Sequence, residues 1–124
     1  MKKILLIEDD LPLLRMYQVA FKNAGVDILH AIDGEEGLKK AKEEKPGLIL
    51  LDLVLPKKNG FEVLRELKGS KDTEAIVVIC LSVLHQEEDI KKCKELGAED
   101  FFLKTDISPD EVVLGVISAL KTGK

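Results

Sequence analysis

The sequence predicts an α/β fold: five parallel strands in one doubly wound sheet, with helices on both faces. Three observations carry this expectation. Dense aliphatic runs alternate with segments of helical period, five of each along the chain. The runs are continuous rather than alternating with polar residues, which suits strands buried on both faces of a parallel sheet. Helix-start and helix-stop residues fall between the runs, so each strand feeds a crossover helix.

Taken in order, the first strand is Ile4-Leu5-Leu6-Ile7. The first helix follows, with Asp10 as its N-cap, Leu14, Tyr17, Phe21 and Ala24 on one face, and Gly25 just past its end. A weaker run, Val26 to Ala31, is the second strand. The second helix, Glu35 to Glu44, has Leu38 and Ala41 inward, and Asp33-x-x-Glu36 has the spacing of a capping box. Leu48-Ile49-Leu50-Leu51 is the third strand. Asn59-x-x-Glu62 then opens a helix marked by Val63, Leu64 and Leu67, with Gly69 at its end. Ala75 to Leu81 is the fourth strand, and Ile90, Cys93 and Leu96 mark the fourth helix, closed by Gly97. Phe101-Phe102-Leu103 is the fifth strand. Ser108-Pro109-Asp110-Glu111 combines an N-cap serine, a proline at the first helical position and a glutamate at N3, the strongest helix start in the chain.

Composition limits the function classes. The 124 residues fit one domain, and 45% hydrophobic residues with only 4% aromatic imply an aliphatic core. A net charge of −4 disfavours direct nucleic-acid binding, which usually comes with a basic excess. Ala75 to Leu81 is too short to cross a bilayer, and Glu8, Asp9 and Asp10 interrupt the only N-terminal apolar stretch. Cys80 and Cys93 fall in a strand and a helix without CxxC spacing, as reduced core thiols of a cytoplasmic chain. We expect one domain over 1–121, a frayed tail at 122–124 and no output domain.

Ligands of such a sheet bind beyond the carboxyl ends of its strands. The first run ends in Glu8-Asp9-Asp10, the third in Asp52, the fourth in Ser82 and the fifth in Lys104. An acid after a strand is commonly only a solvated cap, and a serine or lysine there only a turn residue or a solvated charge. Their coincidence at one edge points further. Crowded carboxylates raise one another's pKa and stay ionised only beside a counter-ion. Mg²⁺ takes oxygen ligands and commonly joins carboxylates to phosphate. With Lys104 beside it, a phosphoryl group could be held next to Asp52, whose carboxylate would act as the nucleophile. Ser82 would donate to a phosphoryl oxygen.

These residues resemble the receiver domain of two-component response regulators, across essentially the whole chain. The motifs are Ile4 to Asp10, Leu50-Leu51-Asp52-Leu53-Val54-Leu55-Pro56 with Asn59-Gly60, Leu81-Ser82, and Gly97 to Lys104. The resemblance implies a flavodoxin-like strand order of 2-1-3-4-5. It makes Asp52 the phosphoacceptor and Mg²⁺ the cofactor. Asp9 is then a direct metal ligand, Glu8 acts through a water, and the Val54 backbone carbonyl is a further ligand. Ser82 and Lys104 contact the phosphoryl group, and Phe101 is the rotating aromatic switch.

Three departures from the family pattern stand out. Thr105 replaces the usual proline after the lysine, so a trans Lys104–Thr105 bond is expected. Val83 replaces a small residue and narrows the approach to Asp52. Val54 and Leu84 are apolar where the family lines the water's path, which predicts slow self-dephosphorylation.

The implied partner is a histidine kinase or histidine phosphotransfer protein. Ser82 and Phe101 would move together and repack the face made by helix 4, strand 5 and helix 5. The last helix, with Val112, Val113, Leu114, Val116, Ile117 and Leu120, has a wide apolar arc that fits core packing or a homodimer or effector surface. The chain would catalyse only its own phosphorylation and slow dephosphorylation, with no contact to nucleic acid or membrane. Three other readings compete. A hydrolase using an aspartyl phosphate would need an acid two positions after Asp52, where Val54 stands. A flavin mononucleotide binder would need a phosphate-cradling loop where Glu8-Asp9-Asp10 stands. A phosphorylation-independent adaptor would not need the complete set of Glu8, Asp9, Asp52, Ser82 and Lys104.

Overall fold

The computed structural model describes residues 3–84 and 86–122. Its elements are β1 (Ile4–Ile7), α1 (Leu11–Asn23), β2 (Ile28–Ala31), α2 (Gly34–Glu44), β3 (Leu48–Asp52), α3 (Gly60–Gly69), β4 (Val77–Ser82), α4 (Glu87–Glu95), β5 (Asp100–Leu103) and α5 (Pro109–Thr122). The strands form one sheet in the order β2-β1-β3-β4-β5, every pair parallel. This is the expected topology. The chain winds one way from β1 to β2 and the other way from β3 onward, so a crevice opens at the carboxyl ends of β1 and β3.

Successive side chains on a strand point to opposite faces, and the sheet divides the core accordingly. Leu5, Ile7, Ile49, Leu51, Val78 and Cys80 pack with α2, α3 and α4. Ile4, Leu6, Leu48, Leu50, Ile79 and Leu81 pack with α1 and α5. Both faces are covered, which is why the runs lack polar alternation. Cys80 and Cys93 are buried, free thiols on the first of these faces.

The helix starts follow the capping residues. Asp10 accepts from the Leu13 amide at 3.1 Å, and Asn59 and Glu62 form a reciprocal box. Ser108 and Glu111 do the same at the start of α5. Asp33 caps Glu36 at 2.8 Å, but the Glu36 carboxylate accepts from Ile32 rather than closing a box on Asp33. Gly25 and Gly97 have φ of 82° and 107° and end α1 and α4 in Schellman turns.

Some expectations need correction. Gly69 is the last residue of α3 rather than a left-handed cap, because the chain leaves the helix through extended Ser70. Ala24 is the exposed C-cap of α1, and Ala20 fills the inner face instead. β2 begins at Ile28 rather than Val26, and β4 runs from Val77 to Ser82 rather than from Ala75. α5 reaches Thr122, and the rest of the expected tail, 123–124, lies outside the described residues. Among the described residues no helix is long and apolar enough to cross a membrane.

Candidate functional site

Parallel pairing brings the strand ends to one rim. Ile7 is in register with Leu51, Asp52 with Leu81 and Ser82 with Leu103. Glu8, the residue after β1, therefore stands level with Asp52, the last residue of β3. The ladder continues one step past the strands. The Glu8 amide donates to the Ala31 carbonyl and the Lys104 amide to the Ser82 carbonyl, each at 2.9 Å. The backbones that carry Glu8 and Lys104 are thus held before their side chains meet.

Lys104 spans the rim. Its Nζ lies 2.7 Å from Glu8 Oε1 and donates to Asp52 Oδ2 at 3.1 Å. The other Asp52 oxygen, Oδ1, accepts from the Val54 amide at 3.1 Å, and Glu8 Oε2 accepts from the Asp10 amide at 3.1 Å. Glu8, Asp52 and Ser82 are buried, while Asp9 is exposed at the mouth. Ser82 Oγ accepts from the Leu84 amide at 3.1 Å.

Electrostatics follow from this packing. Burial, then the neighbouring Asp52 charge, pushes the Glu8 carboxyl up to about 7, against the pull of Lys104. Burial disfavours the Lys104 ammonium, but Glu8 and Asp52 outweigh it and raise its pKa. Tyr17, from α1, is pushed up to about 12, chiefly by burial.

The oxygens suit a hard divalent cation. Glu8, Asp9 and Asp52 each offer a carboxylate oxygen within 4.8 Å of the others. Despite its closeness to Lys104, buried Glu8 Oε1 accepts no aligned hydrogen bond, and a buried acceptor in that state retains capacity for a further partner.

The structure therefore unites Glu8, Asp9, Asp52 and Lys104, and ties Ser82 to Lys104 through the backbone. Phe101 lies lower on β5, two residues before Leu103, in register with Cys80 and partly buried on the face that also holds Cys93 of α4. Val54 and Val83 flank the site, each 52% exposed. Leu84, the other apolar residue expected beside the water's path, is half-buried. It packs against the core cluster that includes residues of α2, α3 and α4. The Lys104–Thr105 bond is trans, as expected without a proline. Sequence reading overlooked the Val54 and Asp10 amides that hold the two buried carboxylates, because a backbone donor leaves no trace in residue identity.

Comparison with known proteins agrees with this geometry. Residues 4–115 match the family described as the response regulator receiver domain. The chain is 39% identical over 120 residues to the alkaline phosphatase synthesis transcriptional regulatory protein PhoP of Bacillus subtilis, covering 97% of this chain and 49% of that protein. It is 32% identical to protein PilH of Pseudomonas aeruginosa, covering 99% of this chain and 100% of PilH. The chain spans about half the length of several curated relatives it matches. Among solved structures, the Mn(2+)-bound form of response regulator Rcp1 superposes with a TM-score of 0.86 at 34% identity, covering 98% of this chain and 96% of that one.

Proposed function

This chain belongs to the response regulator receiver domain family, and on that premise we propose that Asp52 accepts a phosphoryl group from a phosphohistidine. The donor would be a histidine kinase or a histidine phosphotransfer protein, and the module cytoplasmic. The observation that carries the reading is the contact of Lys104 Nζ with both Glu8 and Asp52 beside a three-carboxylate oxygen cluster.

In this reading an Asp52 carboxylate oxygen attacks phosphorus. A P–O bond forms, the P–N bond to the donor imidazole breaks, and the imidazole nitrogen keeps the electron pair. Asp9, Asp52, the Val54 carbonyl and, through water, Glu8 would hold Mg²⁺, a role that the Mn(2+)-bound relative supports by analogy. Bound there, the cation would offset the negative charge of carboxylates and phosphoryl oxygens. Lys104 then trades its contact with Asp52 Oδ2 for a phosphoryl oxygen, and Ser82 turns its hydroxyl to another. Movement of Ser82 leaves space into which Phe101 can turn. The face of α4, β5 and α5 changes accordingly, and Leu114, 68% exposed on α5, offers that face an apolar contact for an effector or a second copy. The chain performs no other chemistry than its own phosphorylation and slow dephosphorylation.

The test is incubation with Mg²⁺ and acetyl phosphate, read by intact mass. Wild type is expected to gain one phosphate, and Asp52→Ala none. An unmodified wild type, or equal labelling of Asp52→Ala, would overturn the reading.

A further inference from the structure

We propose that Asp33 and Gly34, at the turn from β2 into α2, are positioning residues for the acceptor site: they clamp a strained turn at Lys57 and so hold the Val54 amide on Asp52. The inference rests on the reading of Asp52 as phosphoacceptor and deepens it.

The segment between β3 and α3 is tied at both ends. The Val54 amide donates to Asp52 Oδ1 at 3.1 Å, and the Gly60 amide to the Leu53 carbonyl at 3.0 Å. Gly60 lies so close that a Cβ there would stand 2.4 Å from Leu53 Cα. Between these ties, the Lys58 amide donates to the Pro56 carbonyl at 2.7 Å, across Lys57, whose φ is +67°. That is a γ-turn of the rare, positive-φ kind. A lysine adopts it at a steric cost, so neighbouring structure has to enforce it.

The enforcing neighbours come from the start of α2. Asp33 Oδ1 caps the helix by accepting from the Glu36 amide, and Oδ2 faces Lys57 Nζ at 3.7 Å. Gly34 rests on Lys58: a Cβ at Gly34 would fall 2.1 Å from the Lys58 carbonyl oxygen and 2.9 Å from Lys58 Cβ. Only hydrogen fits there. The Lys58 ammonium also pairs with Glu66 of α3. The turn is gripped between two helices, three residues from the amide that orients the acceptor carboxylate. Because Lys57 is exposed, its ion pair contributes little by itself. Close packing at Gly34 accounts for most of the grip.

The experiment measures acetyl-phosphate labelling of the full chain across a Mg²⁺ titration, with melting temperature recorded for each variant. Gly69→Ala is the matched control, since a Cβ there meets nothing within 4 Å. Gly34→Ala is expected to lower the labelling rate at saturating Mg²⁺ at least fivefold against that control, well below its melting temperature. A purely structural role would lower the melting temperature and leave the folded protein's rate unchanged. Should Gly34→Ala not fold, Asp33→Asn, Lys57→Met and their combination are read instead. Each is expected to slow labelling about twofold, the combination no more than either alone, without a change in melting. A folded Gly34→Ala at the control rate would overturn the clamp, as would Asp33→Asn and Lys57→Met at the wild-type rate. An unlabelled wild type would remove the phosphoacceptor reading itself, and the clamp with it.

Discussion

Lys104 Nζ sits 2.7 Å from Glu8 Oε1, joining the residue after the first strand to the residue after the last. The same ammonium donates to Asp52, so a single cation balances two buried carboxylates. The resemblance implied a phosphoryl contact for Lys104. Its contact with Glu8 adds a second role in the metal-free protein, as the internal counter-ion of the rim. Removing it, or protonating its partners, should therefore have measurable consequences.

Lys104→Met leaves two buried carboxylates without their cation. Breaking such a pair costs about 3 kcal/mol. The loss is expected at pH 8 without metal, and should shrink at pH 5.5, where Glu8 carries a proton. Urea denaturation at the two pH values measures it. Equal losses at both would contradict the assignment of Glu8 as the group Lys104 balances.

Glu8 itself makes the metal-free protein pH-sensitive. Its folded pKa of about 7 lies above the ordinary value of 4.5, so between these the folded state binds more protons than the unfolded. Stability from this group is fully present below pH 4.5 and is lost as pH rises through 7. At about 1.4 kcal/mol per unit, the difference between wild type and Glu8→Gln should change by about 3 kcal/mol over that window. Denaturation curves in the presence of a chelator test this, and a flat difference would refute it.

Binding of Mg²⁺ has to displace that proton. Apparent affinity is expected to rise about tenfold per pH unit up to about pH 7 and then level off, because one proton is released per ion bound. Calorimetry in buffers of different ionisation enthalpy counts the proton. Release of none at pH 6 would exclude Glu8 from the coordination sphere and its water shell.

Val54 is exposed beside the acceptor and has no polar atom with which to align a water. Val54→Asn is expected to shorten the phosphoryl lifetime severalfold. Decay of labelled protein after donor removal, followed by intact mass, gives the answer, and an unchanged lifetime would mean that water reaches the phosphoryl group along another line.

The central strand supplies a stability prediction independent of the chemistry. Leu50 is fully buried between α1 and α5, and Leu50→Ala should cost about 2–5 kcal/mol by lost burial and the cavity it leaves. Thermal or urea unfolding checks it.

Much of this protein was determined by sequence alone. The strands, the crossovers and four of the helix starts depend on residues within a few positions of one another: apolar runs, Asp10 three residues before Leu13, Asp33 three before Glu36, Asn59 three before Glu62, Ser108 three before Glu111. The site's side chains were legible as well, since parallel strands must deliver whatever follows them to the same rim. Local signals failed where a neighbour distant in sequence decided the outcome. Gly69 looked like a left-handed cap, but it is the last helical residue and the chain leaves through extended Ser70. Leu84 packs partly against the core, which its place two residues after Ser82 did not announce. The burial that chiefly raises the Glu8 carboxyl, its contact with Lys104 and the close packing of Gly34 on Lys58 were settled only by tertiary structure. Each arises from burial and packing between segments far apart in the chain, and spacing along the sequence has no term for either.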